Sequence, residues 1–281
     1  TLKWQKSIAG ISGGQRRDYI TDIALDENNN IYLVGYTDTQ AIDANDIWII
    51  QSNNDGDLKE KRKISSPNGD EDLTQIKWIS NSTFMFVGVN QTTDNMIYGT
   101  FSYDGSNINV DFVKQVPALG GYVRNPRFTI DEYNDVFFLY DVFNNANGKF
   151  ERIQLGKIPL ADTNATYTNN QGATLPKPWL FRKSLTPQGN YVSIKNTGLH
   201  IDVFGDIVVT AAIDYDEDRK TNIVSSLKYD GTIKTESLIE TTDSVGQVGK
   251  TSTVDNSGDI ITISERLIPN QLAVYRFDNS A

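Results

Sequence analysis

A five-residue turn that opens on Asp recurs along this chain, each time followed by a run of β-forming residues. The copies read Asp26-Glu27-Asn28-Asn29-Asn30, Asp131-Glu132-Tyr133-Asn134-Asp135, Asp202-Val203-Phe204-Gly205-Asp206 and Asp255-Asn256-Ser257-Gly258-Asp259. The runs behind them are residues 31–35, 136–140, 207–211 and 260–264, and a shortened turn at 80–83 precedes a fifth run at 84–88. The fourth turn position is Asn29, Asn134, Gly205 or Gly258, residue types that tolerate positive φ. The leading Asp is suited to accept hydrogen bonds from the turn amides. A second turn recurs as Asp55-Gly56, Asp104-Gly105 and Asp230-Gly231, with Asp278-Asn279 as a weaker copy. Asp-Gly between β-rich runs is a hairpin signal. Each unit therefore reads as a four-stranded antiparallel meander of about 50 residues, the size of a propeller blade.

The apolar runs are continuous, which in an antiparallel sheet means that both faces are covered. Sheets packed face to face around a ring meet that condition. The residue closing the second strand's run is Gly35, Gly88, Ala211 or Ser264, with Tyr140 the exception. A small residue there is expected to let neighbouring sheets approach. No stretch sustains a 3.6-residue apolar period with caps, so no helix is expected. The expected fold is all-β: one five-bladed β-propeller domain with blades at 18–64, 70–116, 122–185, 194–239, and 245–278 plus 1–8. Residues 2–8 resemble outer strands such as 179–185, and they are expected to close the ring by completing the last blade. The third unit carries an Asn-, Thr- and Pro-rich segment at 156–178 that reads as an excursion on the rim.

The 281 residues carry a net charge of −10, which repels phosphate backbones and disfavours a nucleic-acid partner. With no cysteine, disulfides, thiolate metal sites and cysteine nucleophiles are excluded. No apolar run approaches the roughly 20 residues of a membrane-spanning helix, so no membrane insertion is expected.

The first unit, with Trp4-Gln5-Lys6-Ser7-Ile8 ahead of it, carries Ile23-Ala24-Leu25-Asp26, Ile31-Tyr32-Leu33-Val34-Gly35-Tyr36-Thr37 and the Asp55-Gly56 turn. This pattern resembles the bacterial and phage β-propeller repeat sometimes called SBBP, over about a fifth of the chain. Such repeats are also similar to segments of virion structural or tail-fibre-like proteins of marine bacteriophages. The resemblance implies the propeller fold and a virion setting, and it transfers no catalytic residue.

Candidate chemistry is thin. His200 is the sole histidine and falls on an innermost strand. It reads as a packed, hydrogen-bonded strand residue or as a channel base, and no Gly-x-Ser-x-Gly elbow accompanies it. The acidic turns lack the alternating ligands and closing Glu of a calcium loop. Asp214, Asp216, Glu217 and Asp218 form a denser acidic group. Inner-strand or inner-loop acids suited to glycoside chemistry are Asp18, Asp22, Asp70, Glu71 and Asp72. Asp22 stands out because Ile23 and Leu25 beside it read as buried, which would aim its carboxylate into the channel. The Gly-rich loops at 13–19 and 120–124 place Arg16, Arg17, Tyr19, Tyr122 and Arg124 where recognition of glycan or protein is expected.

These features together point to a non-enzymatic structural or receptor-binding module without cofactor or metal. Its expected setting is a virion, as a tail or fibre component, or a cell surface. Expected partners are other virion proteins or a host surface glycan or protein, with a symmetric homo-oligomer within a particle. The alternatives are a secreted or cell-surface lectin-like propeller and a five-bladed glycoside hydrolase.

Overall fold

The computed structural model describes residues 4–7, 17–38, 46–64, 71–80, 82–117, 120–133, 135–159, 166–168, 174–176, 181–186, 191–215, 220–239, 247–266 and 271–277. The chain divides into two compact units, residues 1–118 and 119–281.

The first unit holds two four-stranded antiparallel meanders. The first sheet runs β1 (Arg17–Leu25), β2 (Ile31–Asp38), β3 (Asp46–Ser52) and β4 (Leu58–Ile64). The second runs β5 (Glu71–Ser80), β6 (Thr83–Asn90), β7 (Asn95–Tyr103) and β8 (Ile108–Val116). In the second unit, β9 (Tyr122–Ile130), β10 (Asp135–Asn144) and β11 (Lys149–Pro159) are followed by a separate hairpin of β12 (Thr166–Thr168) and β13 (Thr174–Pro176). The chain then returns with β14 (Phe181–Leu185) to complete the third sheet. The fourth sheet is β15 (Ser193–Ile201), β16 (Ile207–Asp214), β17 (Lys220–Leu227) and β18 (Ile233–Ile239). The fifth has three described strands, β19 (Gln247–Val254), β20 (Ile260–Arg266) and β21 (Gln271–Phe277).

The excursion expected at 156–178 starts later than read. Residues 156–159 stay in β11, because β10 offers partners as far as Asp135, opposite Pro159. The expected closing strand at 2–8 is not in the described ladder of the fifth sheet. Residues 4–7 belong to the first unit and lie outside any strand. There Trp4 Nε1 donates to the Asn54 carbonyl at 3.0 Å, and Lys6 Nζ meets Asp57 at 3.1 Å.

The Asp-led turns behave as their chemistry dictates. Asp26 Oδ1 accepts from the amides of Asn28 and Asn30, and Asp202 Oδ1 from those of Phe204 and Asp206. Asp131 and Asp255 repeat the pattern. Positive φ falls at the fourth position, 60° at Asn29 and 81° at Gly205. A basic side chain from the third strand then neutralises two of the turns. Lys157 Nζ lies 2.8 Å from Asp135 and 3.8 Å from Asp131, and Arg276 reaches Asp255 at 2.9 Å and Asp259 at 2.7 Å. Lys157 is 1% exposed and packs over the ring of Tyr229, whose hydroxyl donates to Asp135. These carboxylates are held by turn amides and protein cations.

The second strands are buried nearly end to end, as their continuous apolar runs require. In the first unit Tyr32, Val34, Ile47 and Ile49 pack on Leu73, Phe84, Phe86 and Phe101. The Tyr32 and Phe84 ring centroids lie 4.0 Å apart. Each such fully buried side chain contributes about 1.5–3 kcal/mol of transfer free energy. In the second unit Phe137, Leu139 and Leu155 pack on Leu199, Val209 and Ile213.

The small residue ending the second strand has a different role from the one expected. A Cβ on Gly35 would fall 1.7 Å from the Tyr19 carbonyl oxygen, and one on Gly88 2.3 Å from that of Asp72. Both obstacles are on the inner strand of the same sheet, not on a neighbour. The cause is a bulge: β1 skips a pairing between Ile20 and Asp22, and β5 between Leu73 and Gln75. The bulged backbone leans onto its partner, and only a residue without a side chain accepts it.

Candidate functional site

Each innermost strand carries such an irregularity at a corresponding level. Besides β1 and β5, the pairing shifts at Asn196/Gly198 of β15, at Gly249/Thr251 of β19, and on β9 opposite Leu139/Asp141. The displaced residue is Thr21, Thr74 or Thr197 in three sheets. Thr21 and Thr74 donate to the carbonyls of Val34 and Val87 at 3.2 Å, and Thr197 to Thr210 Oγ1 at 3.0 Å. A bulge re-aims side chains, so polar groups gather at this level of an otherwise apolar stack. The recurring Thr was the sequence signal for it.

The densest gathering lies between the third and fourth sheets. Asp141, fully buried on β10, accepts from the Asn196 amide and from Asn196 Nδ2, both at 2.7 Å, through Oδ1. Its Oδ2 accepts from Asn125 Nδ2 at 2.7 Å. Asn125 sits in the β9 irregularity with φ 48°. Arg127 Nε donates to Asn196 Oδ1 at 2.9 Å. Burial pushes the Asp141 carboxyl up to about 7, against these hydrogen bonds and the Arg127 charge, which pull it down.

At the start of β9 the buried cluster opens onto a row of rings and cations. The Arg124 guanidinium lies 5.9 Å from the ring centroids of both Tyr122 and Phe143. Phe143 meets Phe150 edge to face at 5.0 Å, and Lys195 Nζ lies 4.5 Å over Phe150. Arg152 donates to the Gly120 carbonyl at 3.2 Å. Tyr122 and Arg124, expected from the 120–124 loop, are therefore brought together. Phe143, Phe150, Lys195, Asn196 and Asp141 were not anticipated. They come from three other strands, and Asp141 sits inside an apolar run that reads as core.

In the first unit, Tyr19 stacks on Tyr36 at 4.9 Å. Arg17 opens β1 opposite Asp38, and Arg16 lies outside the described residues. The expectation for Asp22 needs correcting. Ile23 and Leu25 are 57% and 51% exposed, not buried, because the bulge at Thr21 shifts the alternation of β1. The Asp22 carboxylate accepts from the Ile76 amide of β5 at 2.9 Å. Burial lowers the proton affinity of Lys77 next to it, with the Asp22 charge acting the other way. Glu71 is buried against Asn90 Nδ2 at 2.8 Å, and Asp72 accepts from Gln91 Nε2. Asp70 lies outside the described residues.

His200 Nε2 lies 3.0 Å from Ser252 Oγ, which meets Thr210 Oγ1 at 2.7 Å, so the histidine ends a chain of hydroxyls between the fourth and fifth sheets. Asp214 accepts from Ser193 Oγ at 2.8 Å, while 216–218 lie outside the described residues. Among the described residues no three His, Asp or Glu side chains converge as a ligand set for a metal.

A β-propeller repeat family model matches residues 10–40. No curated protein matches the chain. Among solved structures, puromycin hydrolase aligns with a TM-score of 0.58 at 12% identity over 93% of this chain and 38% of its own. A polysaccharide lyase, ulvan lyase bound to -[GlcA(1-4)Rha3S]-, gives 0.58 at 10% identity over 91% and 66%. A Hadza microbial sialidase gives 0.51 at 10% identity over 92% and 52%. This chain thus spans about two fifths of the hydrolase and under two thirds of the lyase. The repeat, the antiparallel four-stranded sheets and these likenesses define an all-β protein of the β-propeller class.

The comparison overturns the expectation of a protein without enzymatic activity. Chains sharing this fold include a hydrolase, a lyase and a sialidase. The absence of motifs is no ground for that expectation, for a physical reason. A propeller assembles its polar groups from separate strands, so its chemistry leaves no contiguous motif.

Proposed function

We propose that this chain is a carbohydrate-active β-propeller that engages a glycan where Tyr122, Arg124, Asn125, Phe143, Phe150 and Lys195 meet. The observation that carries this reading is the ring-and-cation row beside the Asp141 cluster. Aromatic rings offer apolar faces to sugar C–H groups, and fixed amides and guanidinium groups read hydroxyls. The carbohydrate-directed lyase and sialidase of the same fold agree with it. The surface of a cell or particle, the setting implied by the repeat resemblance, is where we place this recognition, with a host glycan as partner.

A second reading, cleavage of the bound glycan, is favoured by Asp141. Asp141 is fully buried, so in this reading it positions the exposed Asn125 beside the substrate and does not itself touch the leaving group. Affinity electrophoresis against a polysaccharide panel tests binding, with reducing-end assays for turnover. Tyr122→Ala with Phe143→Ala should weaken binding by at least about tenfold. Asp141→Asn should lower turnover more than it lowers binding. Retention by no polysaccharide would end the proposal.

A further inference from the structure

Resting on the carbohydrate reading, we infer that the glycan is acidic, its carboxylate or sulfate groups being received by Arg124, Arg127 and Lys195. In a chain of net charge −10, one end of the third sheet gathers Arg124, Lys149, Arg152 and, from β15, Lys195, with Arg127 further along β9. Among the described residues, the acids on β10, β11 and β16 at this end are engaged. Glu151 accepts from Asn144 and Asn147 and lies 3.8 Å from Arg152, Asp141 is buried among its amide donors, and Asp214 takes the Ser193 hydroxyl. Arg124 donates to the Val123 carbonyl at 2.7 Å beside the Tyr122 and Phe143 rings, and Arg127 donates to Asn196, so both guanidinium groups are positioned before a ligand arrives. A preset planar fork suits carboxylate and sulfate oxygens and loses little entropy on binding. Lys195 is exposed and adds a positive charge beyond Phe150. The spacing of cations by rings fits a chain in which acidic sugars alternate with stacking faces. A nucleic acid would extend past this patch onto a surface of the opposite sign.

Affinity electrophoresis with polygalacturonate, dextran sulfate, uncharged dextran and a short oligothymidylate tests the inference. Retardation by polygalacturonate or dextran sulfate but not by dextran is expected, weakening as salt rises, and the stronger of the two identifies carboxylate or sulfate as the group read. Arg124→Gln and Lys195→Gln together should weaken it by at least about tenfold. Should Arg124→Gln lower the melting temperature, the exposed Lys195→Gln alone carries the test. Retardation by dextran equal to that by the charged polymers, or wild-type affinity in the folded variants, would overturn the acidic assignment and leave the carbohydrate reading standing. Oligothymidylate binding more tightly than either acidic polysaccharide would overturn it in favour of a nucleic acid. No retardation by any of the three polysaccharides would remove the carbohydrate reading itself.

Discussion

Burial and hydrogen bonding act on Asp141 in opposite directions, and burial prevails: the carboxyl rises from 3.8 to about 7. The folded chain therefore keeps a proton there that the unfolded chain has already released. The stability tied to that proton is fully present below the unfolded value and is lost as pH rises through about 7. Asp141→Asn has no such dependence. Urea denaturation across this range should show the wild type losing stability relative to the variant as pH rises, with the difference levelling off above about 7. A constant difference would refute the assignment. Gly35 makes a steric prediction at the same scale. A Cβ there would meet a backbone oxygen that cannot move without undoing the β1 bulge. Gly35→Ala should cost about 3 kcal/mol, the upper end for overpacking. Gly105→Ala, with open space around it, should cost about 1 kcal/mol, for its positive φ alone.

At the scale of elements, the two turn motifs were legible because each writes its chemistry in adjacent residues. An Asp that bonds its own turn amides, followed by Asn or Gly at positive φ, needs nothing from the rest of the chain. The cations that complete the turns were not legible, since Lys157 and Arg276 come from strands about 20 residues away in sequence. The inner-strand bulges were missed because a displaced Thr leaves the apolar pattern intact. Of the site, Tyr122 and Arg124 could be read from their Gly-rich loop. Phe143, Phe150 and Lys195 could not, because strand pairing joins the two rings and only the packing of the fourth sheet on the third brings Lys195 to them. Two substitutions test the turn. Asp202→Ala removes the carboxylate oxygen that accepts from two turn amides and should cost about 1–2 kcal/mol. Lys157→Met leaves Asp131 and Asp135 buried without their cation and should cost about 3–5 kcal/mol in chemical denaturation.

For the whole molecule, the net charge of −10 repels a polyanion, and Arg124 and Lys195 stand against that field.

The turn geometry has a consequence for how a charged ligand approaches. In the third sheet β9 begins at Tyr122 and delivers the chain to the acidic turn opened by Asp131, about 30 Å further along at the rise of an extended strand. The antiparallel order repeats that polarity, so Asp202, Asp230 and Asp255 collect at the turn end while Arg124 and Lys195 stand at the other. At the turn end the Asp-led turns are already paired with Lys157, Lys234 and Arg276, so a diffusing polyanion finds its cations at the Arg124 end.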